Sequence, residues 1–306
     1  MLAVGLAAVL LAAPAMAQPK APDEHVPYHD YKDILALFDR LGYTAKAWNA
    51  GNLEVPPVYL AQIRSEWHGN AKVATVADKK KVFFRILLPI VLKVNEFILQ
   101  DRERATEITG RLSRGAEVSG EDQQWLTELA ARYKLTGSSA DRLAASQYPE
   151  LLLRVDVVPP SLSLAQAASE SGWGTSRFAS EGNSLFGQWS WGKGLKPAEQ
   201  RTESVGDQRV AAFDSTGACA YGYALNLNTQ RAYQDLRSKR AELRRNNQPV
   251  SGVALVPALI HYSERGQAYV DELTTLMSQN RLATADAAHL RNMPIIRLDW
   301  VEKRPK

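Results

Sequence analysis

The sequence predicts a mainly α protein (α+β class) with one small β insertion. Long stretches on both sides of its centre carry apolar residues at helical spacing. Serine-led capping patterns punctuate them at short intervals. One segment, Trp189 to Phe213, is rich in Gly, Trp and β-compatible residues and lacks the helical period.

The chain has 306 residues, of which 45% are hydrophobic and 23% charged. That is enough to bury a real core in one large domain or two small ones, and it excludes wholesale disorder. The net charge of +4 suits nucleic acid, an anionic membrane surface or an anionic wall polymer. No motif with clustered base-stacking aromatics is present, so a nucleic-acid partner is not expected. The one cysteine, Cys219, excludes an intramolecular disulfide, and its neighbours Ala218 and Ala220 mark it as a small buried apolar residue.

Residues 1–17, MLAVGLAAVLLAAPAMA, carry no charge. They are fewer than the roughly 20 apolar residues of a comfortable span. They end in Ala15-Met16-Ala17, which suits signal peptidase, so an export signal is expected, and with it a place in the periplasm or cell envelope. The alternatives are an uncleaved apolar anchor or a buried first helix. Residues 18–74 read as a tether and a poorly defined segment. His25 and His29 sit four apart there, but Pro27 between them argues against a helical metal pair and for a solvated linker.

Residues 75–154 form an N-terminal helical region. Its run VFFRILLPIVLKVNEFIL is interrupted by Arg85, Lys93 and Glu96, charges that are costly in lipid. Pro89 would kink it, so a buried or amphipathic helix pair is expected and no stable membrane span. Glu121 to Tyr133 and Ser139 to Arg154 follow as helices behind Ser119…Asp122 and Ser138…Asp141, with connections short enough for an antiparallel bundle. Gln208 to Phe213 pairs with the Trp189 region as a β-hairpin. Asp214-Ser215 caps a helix to about Asn228, and others cover Ala232 to Arg245 and Val253 to Met277. Residues 282–306 read as a tail.

The chemistry concentrates in Val158 to Gly192. Pro159 and Pro160 open a helix and Gly172 and Gly174 end it. Apart from small serines, only Gln166 and Glu170 are polar on it, and four residues apart they share a side. Glu170 therefore sits in the last turn of a mostly buried helix. The negative helix end and burial both disfavour its ionised form. A carboxyl kept protonated near neutral pH is what glycosidic cleavage needs from a general acid. An ordinary solvated glutamate is the competing reading. Trp173 beside it could wall a cleft or fill the core. Trp189 and Trp191 alternate onto one hairpin face; Trp189 leans to the hairpin's core, while Trp191 fits a sugar platform equally well.

The string Ala168-Ser-Glu-Ser-Gly-Trp-Gly174, with Asn183-Ser-Leu-Phe-Gly187 downstream, resembles the glucosaminidase family of lysozyme-like wall hydrolases. Phe-Gly-Gln-Trp at 186–189, Leu-Asn-Leu-Asn-Thr at 225–229 and His-Tyr-Ser-Glu-Arg-Gly-Gln-Ala-Tyr at 261–269 look like its Bax-type branch. The resemblance implies a lysozyme-like helical domain with a small β-hairpin lobe over about 155–281. It implies endo-β-N-acetylglucosaminidase-like hydrolysis of peptidoglycan glycan strands, at the β-1,4 bond between N-acetylglucosamine and N-acetylmuramic acid. Glu170 is then the acid. Glu203 is chosen as a second carboxylate over Asp207, Glu199 and Asp214. Tyr269 is the family's late-helix tyrosine, with Tyr262 upstream. Gln166, Trp173, Asn183, Phe186, Trp191 and Tyr262 are expected to contact substrate. No cofactor or metal is expected. A lytic transglycosylase, or a wall-binding scaffold without activity, remains the alternative.

Overall fold

The computed structural model describes residues 22–135, 143–191, 193–197 and 208–302. The leader and the Ser138…Asp141 capping pattern lie outside these residues.

The described chain begins with β1 (Glu24–Tyr28), α1 (Tyr31–Arg40), α2 (Ala45–Asn49), β2 (Glu54–Val55), β3 (Val58–Leu60) and α3 (Ser65–Val73). The described residues of the segment read as a solvated tether are thus structured, and so are those of the tail, up to residue 302. Near the C-terminus lie β6 (His289–Leu290) and β7 (Ile296–Trp300). β7 is the middle strand of a parallel sheet ordered β1-β7-β3. Ile296 and Leu298 point into the core while Arg297 and Asp299 face out. Pro27 fits because β1 is an edge strand and needs hydrogen bonds on one side only. His25 Nδ1 lies 2.7 Å from Asp299, and His29 donates to the Val301 carbonyl.

α4 (Val76–Ser113) is one helix of 38 residues and not the expected pair. Pro89 lacks the N–H that would bond back to Arg85, a loss of about 3 kcal/mol in a helix interior. Around it Val82, Phe83, Ile86, Leu87, Ile90, Val91, Val94 and Ile98 are buried. Each contributes about 1.5–3 kcal/mol, so tertiary burial overrides the break. No described helix is long and apolar enough to cross a membrane. α5 (Gly120–Arg132) begins as expected, with Ser119 Oγ accepting from Asp122 N at 3.1 Å. α6 (Tyr148–Arg154) follows a 3₁₀ turn.

α7 (Pro160–Ser171) runs through the centre, buried from Pro160 to Ala168 and packed against α4. Asn95 of α4 fixes its approach, donating to the Val158 carbonyl at 2.8 Å. α8 (Arg177–Gly182) leads to the antiparallel hairpin of β4 (Trp189–Trp191) and β5 (Gln208–Val210). α9 (Thr216–Thr229) is capped by Ser215, whose Oγ accepts from Ala218 N. Cys219 on it is buried, and burial pushes its thiol up to about 12. α10 (Gln234–Arg245) follows.

The single helix expected over 253–277 is broken. α11 (Gly252–Leu255) and a 3₁₀ turn end near Leu259, and α12 (Gln267–Gln279) starts afresh. Gly266 between them has φ 53° and ψ −122°, a backbone shape that side chains with a Cβ resist. This break lets the Tyr262 and Tyr269 rings stack, centroids 5.6 Å apart and planes within 4°.

Candidate active site

Glu170 occupies the last turn of α7, one residue before the terminal Ser171. Its side chain is half-buried. Burial is the largest influence on it and raises its pKa above the ordinary glutamate range. A hydrogen bond from Tyr269 and the positive charge of Arg265 pull the other way, while nearby Glu272 pushes up again. Burial prevails, so the carboxyl holds its proton more firmly than a solvated glutamate.

Behind Glu170 runs a buried chain of hydrogen bonds. Tyr223 on α9 donates to Gln166 Oε1 at 2.5 Å. Gln166 Nε2 donates to the Tyr269 hydroxyl at 3.0 Å, and Tyr269 donates to Glu170. Tyr269 and Gln166 are both 0% exposed, so their polar atoms depend on one another. Burial also raises the pKa of both phenols, which remain neutral donors.

Gly187 explains the Phe-Gly dipeptide at 186–187. Its φ is +61°, and a Cβ there would lie 2.7 Å from Glu170 Oε2. Only a bare backbone lets the carboxyl occupy this position. Tyr262 secures the same segment, donating to the Phe186 carbonyl at 2.7 Å.

Several residues expected to contact substrate have other partners. Gln166 has both amide ends engaged inside the protein. Asn183 accepts from Ile63 N at 2.8 Å and donates to the Phe213 carbonyl at 2.9 Å, which ties β4–β5 to the N-terminal segment. Phe186 is 0% exposed and stacks on Tyr223 at 3.9 Å. Trp173 turns away to Phe83 and Phe84 of α4, with centroids 5.8 and 5.2 Å apart. Its carbonyl accepts from Trp67 Nε1 at 3.0 Å. Gln166, Asn183 and Phe186 are buried, so these three are corrected from contact residues to packing and positioning residues, and the half-buried Trp173 ring is engaged by α4. Half-buried Tyr262 is likewise committed to a backbone carbonyl. Trp191, by contrast, is 75% exposed. Trp189 is 47% exposed, so the expectation that it fills the hairpin core does not hold. Glu203, with Glu199 and Asp207, lies outside the described residues.

Comparison with known proteins places this arrangement. A glucosaminidase family model, described as mannosyl-glycoprotein endo-beta-N-acetylglucosaminidase, matches residues 145–282. Protein bax of Escherichia coli (strain K12) is 32% identical over 221 residues, covering 72% of this chain and 75% of that protein. The chain belongs to the Bax-type glucosaminidase family. No solved structure matches it.

Within this family member, the matched region spans the hydrogen-bond chain from Gln166 to Tyr269. Tyr223, Arg265 and Glu272 were not among the residues that the sequence marked for the site. Arg265 lies within His261–Tyr269, the motif already noted. Glu272 follows Tyr269 by three residues and so shares its helix face, a signal that was available but indistinct among solvated charges.

Proposed function

We propose that this chain is an exported peptidoglycan hydrolase that cuts the β-1,4 bond between N-acetylglucosamine and N-acetylmuramic acid, with Glu170 as general acid. The observation carrying this reading is one carboxyl group. Glu170 has its pKa raised by burial at the tail of an apolar helix, accepts a hydrogen bond from Tyr269, and is only half-buried. Membership of a family described as N-acetylglucosaminidases supports the substrate class.

In this mechanism Glu170 gives its proton to the leaving sugar oxygen as the glycosidic bond breaks. Positive charge develops on the ring carbon and oxygen. Water then attacks, assisted by Glu203 or by the substrate's own acetamido group. Tyr269 and Gln166 act through Glu170, fixing its rotamer so that the proton points outward. Trp191 offers an aromatic face to a sugar ring.

The test is product analysis. Purified sacculi are digested, the products reduced with borohydride and then analysed by mass spectrometry. Reduced N-acetylglucosamine ends are expected. Anhydro-muramyl ends would replace hydrolysis with a transglycosylase reaction. An undigested wall that still retains the protein would leave only a binding role.

A further inference from the structure

The mechanism leaves unused a charged pair at the rim of the site. Arg265, in the loop before α12, pairs with Glu272 one turn beyond Tyr269 (Nη1 to Oε2, 2.5 Å). The second oxygen of Glu272 accepts from Ser169 Oγ at 2.5 Å. Ser169 precedes Glu170, so this bond crosses from the reacting helix to α12. The Arg265 guanidinium lies over the Tyr269 ring, 5.2 Å from its centroid. Arg265 makes no ion pair with Glu170, although the two are close enough to feel each other's charge. Each oxygen of Glu272 thus accepts one hydrogen bond, from Ser169 on one side and Arg265 on the other.

We propose that Glu272 is a positioning residue: braced by Ser169, it holds Arg265 over Tyr269 and away from Glu170. Resting on the glycosidase reading, this deepens it by naming what protects the acid from its nearest cation. An arginine free to swing onto Glu170 would stabilise the carboxylate and discharge the proton before a substrate arrived. The other groups facing Glu170 are the phenols of Tyr269, Tyr262, Tyr223 and Tyr233, from α12, the loop before it, α9 and the turn before α10. All four are held neutral by burial, so Arg265 and Glu272 are the charged neighbours left to set the balance among the described residues.

The experiment reads the acid directly. The carboxyl ¹³C resonance of Glu170 is titrated by NMR without substrate, its assignment taken from the signal lost in Glu170→Gln. Glu272→Gln is expected to lower the Glu170 midpoint by about one pH unit or more, the size expected of an opposite charge brought alongside. Arg265→Gln, at an exposed position, is expected to raise it. In the Arg265→Gln background, Glu272→Gln should have a clearly smaller effect, with only its direct charge left to act, because its action runs mainly through the arginine. Equal shifts in both backgrounds would reduce Glu272 to a simple charge and overturn the proposal, as would an unmoved midpoint. Should Glu272→Gln fold poorly, Ser169→Ala loosens the same clasp and should move the midpoint in the same direction; no movement there also overturns it. The alkaline limb of wall digestion should follow the NMR midpoints. If the midpoints move as expected while no variant or wild type digests wall, the clasp stands and the glycosidase reading falls.

Discussion

Two carboxyl groups, one buried and one half-buried, lie near the two ends of α7 in opposite surroundings. Asp156, just before the helix, has a side chain only 3% exposed and is ringed by guanidinium groups. Arg244 reaches it at 2.5 and 2.6 Å, with Arg240 at 3.6 Å and Arg102 at 3.7 Å. Glu170, at the far end, is surrounded mainly by phenols and an amide. Burial is the largest single influence on both and raises both. At Asp156 the three arginines together outweigh it, and the pKa falls below the usual carboxylate range. At Glu170 nothing outweighs it. Burial alone therefore does not set the state of a carboxyl; the supply of counter-charge does. One end of the helix carries a carboxyl whose ionised form is favoured by its arginines, the other a carboxyl whose neutral form is favoured by burial.

The largest expected effect falls on activity. Glu170→Gln should lower wall digestion by about 10² to 10⁴, the usual contribution of a general acid. A variant that digests wall at the wild-type rate would remove the chemical half of the contrast. Asp156→Ala should act on stability instead. It strands Arg240, which is 0% exposed and already has its pKa pushed down to about 10 by burial. A loss of about 3–5 kcal/mol is expected in chemical denaturation, as when one partner of a buried pair is removed. A loss below about 1 kcal/mol would show that the arginines are held by backbone carbonyls alone.

Gly187→Ala comes next. Its Cβ would meet Glu170 Oε2, and the left-handed backbone adds about 1–2 kcal/mol of strain. Reduced thermal stability and reduced digestion should appear together; a crystal structure with Glu170 unmoved would contradict this. The smallest effect is the pH dependence, which has opposite sign at the two ends. Asp156 contributes stability above the ordinary aspartate pKa of about 3.9, lost as pH falls through its depressed folded value. Glu170 has a raised folded value, so its ionisation weakens the fold as pH rises from about 4.3 through that value. Glu170→Gln should accordingly melt higher than wild type at pH 8, with the gap closing by pH 4. Scanning calorimetry at the two pH values checks it, and a constant gap would mean that the acid is not under strain.

Much of the site's framework was legible in local sequence. Pro159 and Pro160 start α7 and Gly172 ends it, so Glu170's place in the last turn followed directly. Ser119, Ser215 and the Trp189 hairpin were legible for the same reason: caps and turns act over a few residues. Side-chain direction was not. Gln166 shares a helix side with Glu170, but whether that side meets a groove or Tyr269 depends on α12, about 100 residues later. Trp173 and Phe186 looked like cleft aromatics, yet α4 and Tyr223 claim them. Pro89 read as a break because the local rule carries no knowledge of the apolar surface waiting around α4.

What the sequence by itself determined is the family, the helical character and the presence of a glutamate at the tail of an apolar helix. These rest on contacts within one or two turns, whose energetics are written in neighbouring residues. The tertiary structure alone decided that β7 inserts between β1 and β3, that a 38-residue helix survives its proline, and that phenols and one arginine already paired with Glu272 lie about Glu170. Those outcomes sum many weak, non-local burial terms, and no short window of the chain contains them.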